Sequence, residues 1–171
     1  RVGIIGRLVP EKGQDVVCAL SHALPETDFY LVGPLDNADG KYLERLRRDS
    51  AGNVKFVGYK HPIVRYLQEE DIGIVLVPSR IAEAFALVPI EAAAAGCAVV
   101  VRNLGGLAEV AAHAGLMAVD GDEQFLESIA RLQAMKPEAL ASYVTAARRQ
   151  ALSRYHPARF EREVLETFGW R

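Results

Sequence analysis

Cysteine is scarce in this sequence, because only Cys18 and Cys97 occur among its 171 residues. Two cysteines so far apart match no metal-ligand spacing, and we expect them to be reduced thiols in the core of a cytoplasmic protein. Charge of one sign is also lacking, since 20 basic residues nearly balance 22 acidic ones. Such a balance creates no overall field that would attract nucleic acid or an anionic membrane. No apolar run approaches the ~20 residues of a membrane-spanning helix.

Two well-known phosphate-binding fingerprints and an initiator methionine are absent as well. The first loop, Gly6-Arg7-Leu8-Val9-Pro10-Glu11-Lys12-Gly13, contains neither G-x-G-x-x-G nor G-x-x-x-x-G-K-[ST]. This argues against a nicotinamide-binding Rossmann domain and against a P-loop enzyme. The chain starts at Arg1 and enters an apolar run at once, so we expect it to be part of a longer protein.

The sequence does contain a regular alternation of apolar runs and helical patterns. Six continuous apolar runs are typical of strands buried on both faces, at residues 2–6, 29–33, 54–58, 72–77, 98–101 and 116–119. Helical patterns lie between and after them, at about 14–24, 40–50, 62–69, 88–95, 107–113, 123–134, 137–152 and 157–168. This alternation predicts an α/β domain with a Rossmann-like parallel sheet and helices on both faces. Ligands of such folds bind at the carboxyl ends of the strands.

Charged residues and a glycine pair occupy two of the loops expected at that edge. Arg7 and Lys12 follow the first strand, where a guanidinium and an ammonium beside helix N–H groups suit a diphosphate. A solvated loop with two surface charges is an equally good interpretation. The pair Gly105-Gly106 permits either close approach of a ligand to the backbone or a plain sharp turn, and the turn is the simpler interpretation.

Two glutamates mark the loop and helix that follow the fourth apolar run. Pro89 suits the first turn of a helix that begins near Val88. Glu91 is then expected in that first turn, where the helix dipole alone favours a carboxylate. Glu83 lies in the preceding loop among apolar neighbours and needs partners, either sugar hydroxyls or backbone amides.

Taken in order, these motifs resemble the donor-binding C-terminal half of a two-domain (GT-B) glycosyltransferase of family 4, the glycosyl transferases group 1. The matching pieces are Gly6-Arg7…Glu11-Lys12-Gly13, Val57-Gly58, Pro78-Ser79…Glu83-x7-Glu91-Ala92 with Gly96, and Gly105-Gly106…Glu109. The resemblance covers residues 1–135, and we expect residues 136–171 to form C-terminal helices of the same domain. It implies that the N-terminal, acceptor-binding domain is absent from this chain.

The resemblance implies a role for each matched residue. Arg7 and Lys12 would hold the donor diphosphate and, together with Glu83, carry the catalytic roles. Glu91 would accept hydrogen bonds from the ribose hydroxyls, and Glu83 would contact the transferred sugar. The implied donor site also includes the diphosphate-binding amides of Leu87 and Val88, the base-binding segment 58–61 that starts at Gly58, and the cleft residues Phe85, Ala86, Gly105 and Gly106.

The implied substrate is a nucleoside-diphosphate sugar, whose sugar is transferred with retention of configuration and without a cofactor or metal. Such a site must stabilise the growing negative charge of the leaving diphosphate with fixed cations and helix dipoles. The acceptor is left open as a glycan, a lipid or a small molecule. Nucleic acid is not expected, and any peripheral membrane contact would involve the absent half. We expect the 171-residue chain alone to bind donor but to transfer no sugar.

Two residues depart from the family pattern, which usually has glycine at the positions of Ala84 and Ala86. If either position needs a positive φ, the alanine costs about 1 kcal/mol or more; otherwise the two methyl groups narrow the sugar pocket. A non-catalytic nucleotide-sugar-binding homologue is therefore an alternative. A nucleotide-sugar epimerase of the same architecture is another, although the Glu83–Glu91 pair argues against it.

Overall fold

Six parallel strands form one sheet in the part of the chain that the structure describes. The structure is a computed structural model and describes residues 1–36, 39–156 and 158–159. The strands are β1 (Val2–Ile5), β2 (Phe29–Val32), β3 (Val54–Gly58), β4 (Ile74–Val77), β5 (Ala98–Arg102) and β6 (Met117–Val119). They lie in the order β3-β2-β1-β4-β5-β6, and Ile4 of β1 pairs with Leu31 of β2 and Leu76 of β4.

Helices cover both faces of this sheet, which confirms the Rossmann-like α/β fold expected from the sequence. Within the described residues they are α1 (Val16–Ala23), α2 (Gly40–Asp49), α3 (Ile63–Glu69), α4 (Leu87–Ala95), α5 (Gly106–Ala114), α6 (Glu123–Gln133) and α7 (Pro137–Arg154), with a 3₁₀ turn at Pro10–Lys12. The helix predicted over 157–168 falls almost wholly outside the described residues. None of the helices described is both long and apolar enough to cross a membrane.

Two buried clusters, one on each face of the sheet, form the core. Helices α3, α4, α5 and α7 pack with Val75 and Val77 of β4 on one face. Helices α1, α2 and α6 pack with Leu76 of the same strand on the other face. Successive side chains of a strand point to opposite faces of the sheet. Because helices cover both faces, nearly every residue of a strand is apolar, which explains the continuous apolar runs in the sequence.

Strand β4 begins two residues later than the apolar run predicts. Asp71 adopts a φ of 50°, and the N–H of Ile72 donates to the carbonyl of Leu67 at 2.9 Å. This hydrogen bond closes the end of α3, as in many helices that end at a left-handed residue. Ile72 therefore caps a helix, and pairing in the sheet begins at Ile74.

The chain reverses its direction of travel across the sheet between β1 and β4. Parallel α/β sheets form a ligand-binding crevice where the strand order reverses in this way. The loops after β1 and β4 approach closely there. A Cβ on Gly13 of the first loop would therefore overlap the carbonyl of Pro78 in the second. Gly13 also has a φ of 69°, so only glycine suits this position.

Both cysteines are free thiols, as the sequence predicts. Cys97 is 2% exposed, and burial raises the pKa of its thiol to about 12. Burial also raises the pKa of Cys18. Because the thiolate is the reactive form, neither thiol is activated. Cys97 is a core residue, as expected, whereas Cys18 is partly buried and packs against the core cluster on the other face.

Candidate functional site

A cavity of about 290 Å³ lies at the carboxyl ends of β1, β2 and β3, beside the start of α4. Its wall includes Arg7 from the loop after β1, Glu91 from α4 and Tyr59 from the loop after β3. We call it the Arg7 cavity. It occupies the edge of the sheet where the sequence predicts ligand binding.

A second cavity, of about 170 Å³, adjoins the first between the loops after β1 and β4. It contains Lys12 and Glu83, and we call it the Lys12 cavity. Ile5, Gly6 and Val88 line both cavities. The two cavities therefore share part of their wall. We call them together the switch-point cleft, and they contain four charged residues predicted to be functional.

Arg7 and Glu91 bring opposite charges to the Arg7 cavity, and neither has a charged partner among the described residues. Arg7 is exposed and Glu91 is half-buried. Neither side chain makes an ion pair or hydrogen bond with any residue that the structure describes. A half-buried carboxylate loses part of its hydration and gains nothing in return. Both groups are thus available to a ligand.

The expectation that Glu91 lies in the first turn of its helix is wrong. Helix α4 begins at Leu87, so Glu91 is its fifth residue. The helix dipole acts mainly within the first turn. Dipole stabilisation therefore does not account for a carboxylate at this position.

Lys12 and Glu83 form an ion pair within the Lys12 cavity. The Lys12 Nζ lies 2.9 Å from the Glu83 Oε1, and the two side chains are 22% and 18% exposed. The partner of Glu83 in the protein is thus an ammonium rather than a backbone amide. Among the residues described, no group of three or more His, Cys, Asp or Glu side chains is arranged to hold a metal ion.

The amino end of α4 lies at the junction of the two cavities. Its N-cap residue, Ala86, has no side chain that could satisfy the first N–H groups. Pro89 lies in the first turn, as predicted, and has no N–H to satisfy. The first N–H groups of a helix point out along its axis, so those of Leu87 and Val88 open toward the cleft that Val88 lines.

Neither Ala84 nor Ala86 requires a left-handed backbone. Ala86 has a φ of −119° and a ψ of 115°, and Asp71 is the one non-glycine residue with a positive φ in the described part of the chain. The possibility of backbone strain at these alanines is thus excluded. Ala86 is 4% exposed and lines the Lys12 cavity, so its methyl group does narrow this space.

The paired glycines lie outside the lining of both cavities and contact the loop that carries Glu83. The N–H of Gly106 donates to the carbonyl of Glu83 at 2.7 Å. A Cβ on Gly106 would lie 2.7 Å from the carbonyl oxygens of Glu83 and Ala84, and Gly105 has a φ of 55°. The close approach is therefore between two backbone segments, and contact of this pair with the donor stays a prediction.

The remaining predicted residues lie around the cleft. Gly58 ends β3 with a φ of 82°, directly before Tyr59, whose ring stacks on His61 with 6.4 Å between centroids. Phe85 lines the Lys12 cavity and is 54% exposed. Its ring lies 5.8 Å from that of Tyr155, at the end of α7. Aromatic surface is thus available at both ends of the cleft.

Two supporting residues, Gln14 and Arg80, are absent from the predicted set. Gln14 is 1% exposed, and its Nε2 donates to the backbone carbonyl of Arg7 at 2.6 Å. The N–H of Arg80 donates to the carbonyl of Glu11 at 2.8 Å, beside Lys12. The available sequence signal for Gln14 is a polar residue at the start of an apolar helical pattern. For Arg80 there is none, because its partners are distant in the chain.

Arg80 is the centre of a chain of ion pairs that ties the loops together. It lies 2.5 Å from Asp15 and 2.9 Å from Asp122. Arg45 also pairs with Asp15, and Arg102 pairs with Asp122. Burial alone would raise the pKa of the Asp15 carboxyl, but the hydrogen bond and charge of Arg80 lower it below its ordinary value. The same balance, with Arg102 as well, lowers the pKa of Asp122.

Comparison with known sequences identifies one family. The profile of the family described as glycosyl transferases group 1 matches residues 1–135. An uncharacterized 42.6 kDa protein in the cps region of Klebsiella pneumoniae is 36% identical over 110 residues, which are 64% of this chain and 28% of that protein.

Solved structures share the fold. Anabaena Alr3699/HepE in complex with UDP matches 98% of this chain and 48% of its own, with a TM-score of 0.88 and 22% identity. A glycosyltransferase from Rickettsia africae ESF-5 matches 98% of this chain and 46% of its own, with a TM-score of 0.85 and 20% identity. The chain thus spans about half the length of these proteins. Because the family profile covers most of its residues, the chain belongs to the glycosyl transferases group 1 family.

Proposed function

We propose that this chain is the C-terminal, donor-binding half of a GT-B glycosyltransferase of family 4. The observation that carries the proposal is the position of Arg7 and Glu91, two charges on one cavity wall that have no partner among the described residues. A ligand with an anionic group and neighbouring hydroxyls satisfies both. A nucleoside-diphosphate sugar has this composition, and structures of the same fold were solved with UDP and with UDP-glucose.

The diphosphate occupies the junction of the two cavities. Arg7 approaches it from the Arg7 cavity and Lys12 from the Lys12 cavity. The N–H groups of Leu87 and Val88 add donors and the positive end of the α4 dipole, an arrangement that suits anions. Three sources of positive potential thus converge on the group that becomes the leaving group.

The nucleoside occupies the Arg7 cavity. Glu91 accepts hydrogen bonds from the ribose hydroxyls, and a charged acceptor makes these bonds stronger than neutral ones. The base lies beside the stacked rings of Tyr59 and His61, which are nearly parallel with an interplanar angle of 3°. Tyr59 is 69% exposed, so its ring has apolar surface to cover.

The sugar lies toward Glu83, which contacts its hydroxyls. During transfer the bond between the anomeric carbon and the diphosphate oxygen breaks, a bond to the acceptor oxygen forms, and the acceptor's hydroxyl proton leaves with the diphosphate. Arg7, Lys12 and the helix dipole stabilise the charge that grows on the leaving group, which is the main electrostatic requirement of the reaction. The proposal includes a hexosyl donor, retention of configuration, metal-independent transfer and a cytoplasmic location.

Calorimetric titration of the full-length protein with UDP, GDP, ADP and their sugar conjugates tests donor binding. We expect the nucleotides of one base to bind. Arg7→Ala should lower the affinity for the nucleoside diphosphate by about 10- to 100-fold and leave the affinity for the nucleoside unchanged. Arg148→Ala, which removes an exposed arginine of α7, is the matched control. Failure of every nucleotide to bind, or equal losses for nucleoside and diphosphate, contradicts the proposal.

A radiolabelled-donor assay separates an enzyme from a non-catalytic binding homologue. We expect the full-length protein to hydrolyse or transfer the sugar of the donor that it binds, and the 171-residue chain alone to bind without transfer. The unstrained backbone of Ala86 supports activity. Donor binding without any turnover in the full-length protein would favour the binding homologue.

A further inference from the structure

We propose that Gln14 is a positioning residue that holds Arg7 in its anion-binding orientation, an inference that rests on the proposed function. Gln14 lies between the 3₁₀ turn and α1, outside the lining of both cavities. Its side chain is 1% exposed. The Nε2 donates to the backbone carbonyl of Arg7 at 2.6 Å, so a buried amide bonds directly to the residue proposed to bind the diphosphate.

The Arg7 carbonyl is the strongest contact of the Gln14 amide. The Tyr42 hydroxyl lies 3.5 Å from the Gln14 Oε1 but 3.1 Å from the Asp15 Oδ1. Burial raises the pKa of Tyr42 above its ordinary value, so the hydroxyl keeps the single proton that it can donate, and the nearer carboxylate accepts it. A buried amide costs free energy unless it is hydrogen-bonded. The bond to Arg7 therefore accounts for the amide at this position.

This bond fixes the direction of the peptide that joins Arg7 to Leu8. In a planar trans peptide the carbonyl and the following N–H point in opposite directions, so the Leu8 N–H points away from Gln14. That N–H has no acceptor among the described residues. The Leu8 side chain is fully buried, which anchors the peptide on its other side.

The residue before Arg7 makes this restraint necessary. Gly6 has a φ of 149°, and glycine permits many backbone conformations that other residues cannot adopt. The Gly6 N–H donates to the carbonyl of Val32 at 2.9 Å. This hydrogen bond holds the end of β1 but not the peptide that follows Arg7. Without Gln14, the Arg7 carbonyl keeps only the hydrogen bond from the Val9 N–H of the same loop, at 3.0 Å. The peptide is then held less firmly, and the guanidinium loses part of its fixed approach to the cleft.

A double-mutant cycle in the full-length protein tests the inference. The probes are whichever of UDP, GDP and ADP the wild-type protein binds most tightly, and the corresponding nucleoside. Gln14→Met should raise the dissociation constant of the diphosphate by about three- to tenfold and leave that of the nucleoside unchanged. In an Arg7→Ala background the effect of Gln14→Met should vanish, because coupled residues are non-additive.

Asn53→Leu is the matched control. The Nδ2 of Asn53 also donates to backbone carbonyls, those of Ser21, Leu24 and Thr27, at the opposite edge of the sheet. Its loss should lower the melting temperature without changing the ratio of diphosphate to nucleoside affinity. A drop in that ratio for Gln14→Met alone supports positioning.

Gln14→Glu gives a second readout should Gln14→Met fold poorly. A carboxyl group donates to the Arg7 carbonyl only while protonated, so diphosphate affinity relative to wild type should recover as the pH is lowered. No recovery, a Gln14→Met effect that persists in full without the Arg7 side chain, or wild-type affinity in Gln14→Met overturns the inference. A wild-type protein that binds no nucleoside diphosphate overturns the proposed function instead.

Discussion

The ammonium of Lys12 lies 2.9 Å from the carboxylate of Glu83, so two residues with separate expected roles neutralise each other. Lys12 comes from the loop after β1, and Glu83 comes from the loop after β4. A diphosphate bound at the proposed position would compete with Glu83 for the lysine. The pair therefore couples the proposed diphosphate position to the proposed sugar position.

Glu83→Gln should tighten nucleoside diphosphate binding by about two- to fivefold, because Lys12 no longer shares its charge with a carboxylate. The same substitution should lower turnover of the sugar nucleotide, since the amide is a weaker acceptor for sugar hydroxyls. Calorimetric titration and a donor-consumption assay measure the two effects. Glu138→Gln, on the exposed surface of α7, should change neither. Weaker diphosphate binding in Glu83→Gln would show that the carboxylate does not compete for Lys12.

Substitutions of Glu91 should weaken nucleoside and nucleoside diphosphate alike, unlike Arg7→Ala. Glu91→Gln removes the charge-assisted acceptor and should cost about tenfold in affinity, and Glu91→Ala should cost more. The melting temperature should hardly change, because Glu91 is the fifth residue of α4 and gains little from the helix dipole. Affinity losses that track a falling melting temperature would identify Glu91 as a fold-supporting residue.

Gly106→Ala should reduce turnover of the sugar nucleotide severalfold, and it should change nucleoside diphosphate affinity by no more than the roughly two- to fivefold expected for Glu83→Gln. The new Cβ would lie 2.7 Å from the carbonyl oxygens of Glu83 and Ala84, closer than van der Waals contact permits, so the loop that carries Glu83 must move. Gly40→Ala is the control, because a Cβ there meets nothing within 4 Å. Unchanged turnover in Gly106→Ala would remove the link between the glycine pair and Glu83.

Arg80→Met should lower the free energy of unfolding at pH 7 by about 1 kcal/mol. Arg80 lowers the pKa of both Asp15 and Asp122, against the effect of burial. The unfolded pKa of aspartate is about 3.9, so the stabilisation is complete above that value and is lost as the pH falls through the lower folded pKa. The difference between wild type and variant should therefore shrink in acid.

Urea denaturation at pH 7 and at lower pH values measures this difference. Arg65→Met is the control, because Arg65 forms an exposed pair with Glu69 one helical turn away, and such pairs contribute at most about 0.5 kcal/mol. A pH-independent loss of stability in Arg80→Met would show that its alkyl packing, rather than its charge, stabilises the loops.

Much of the candidate site could be predicted from local patterns. Arg7, Lys12 and Glu83 lie in loops that follow strands. Because the carboxyl ends of parallel strands lie at the same edge of a sheet, the alternation of strands and helices predicts that these three residues lie close together. The position of Glu91 depends on where α4 begins, and the start at Leu87 rather than Val88 moves it beyond the first turn. Helix boundaries depend on capping contacts that a pattern of residue types specifies poorly.

The order of strands and helices is predictable from the alternation of apolar runs and helical patterns, because burial on both faces imposes continuous apolar runs on the strands. That order also fixes the edge of the sheet where the charged loops converge. Three contacts depend instead on how the chain packs: Lys12 pairs with Glu83, Gln14 donates to the Arg7 carbonyl, and the Gly106 N–H donates to the Glu83 carbonyl. These contacts join atoms less than 3 Å apart that belong to residues seven or more positions apart in the chain. Their formation depends on the backbone dihedral angles of every intervening loop residue, and no local pattern encodes that geometry.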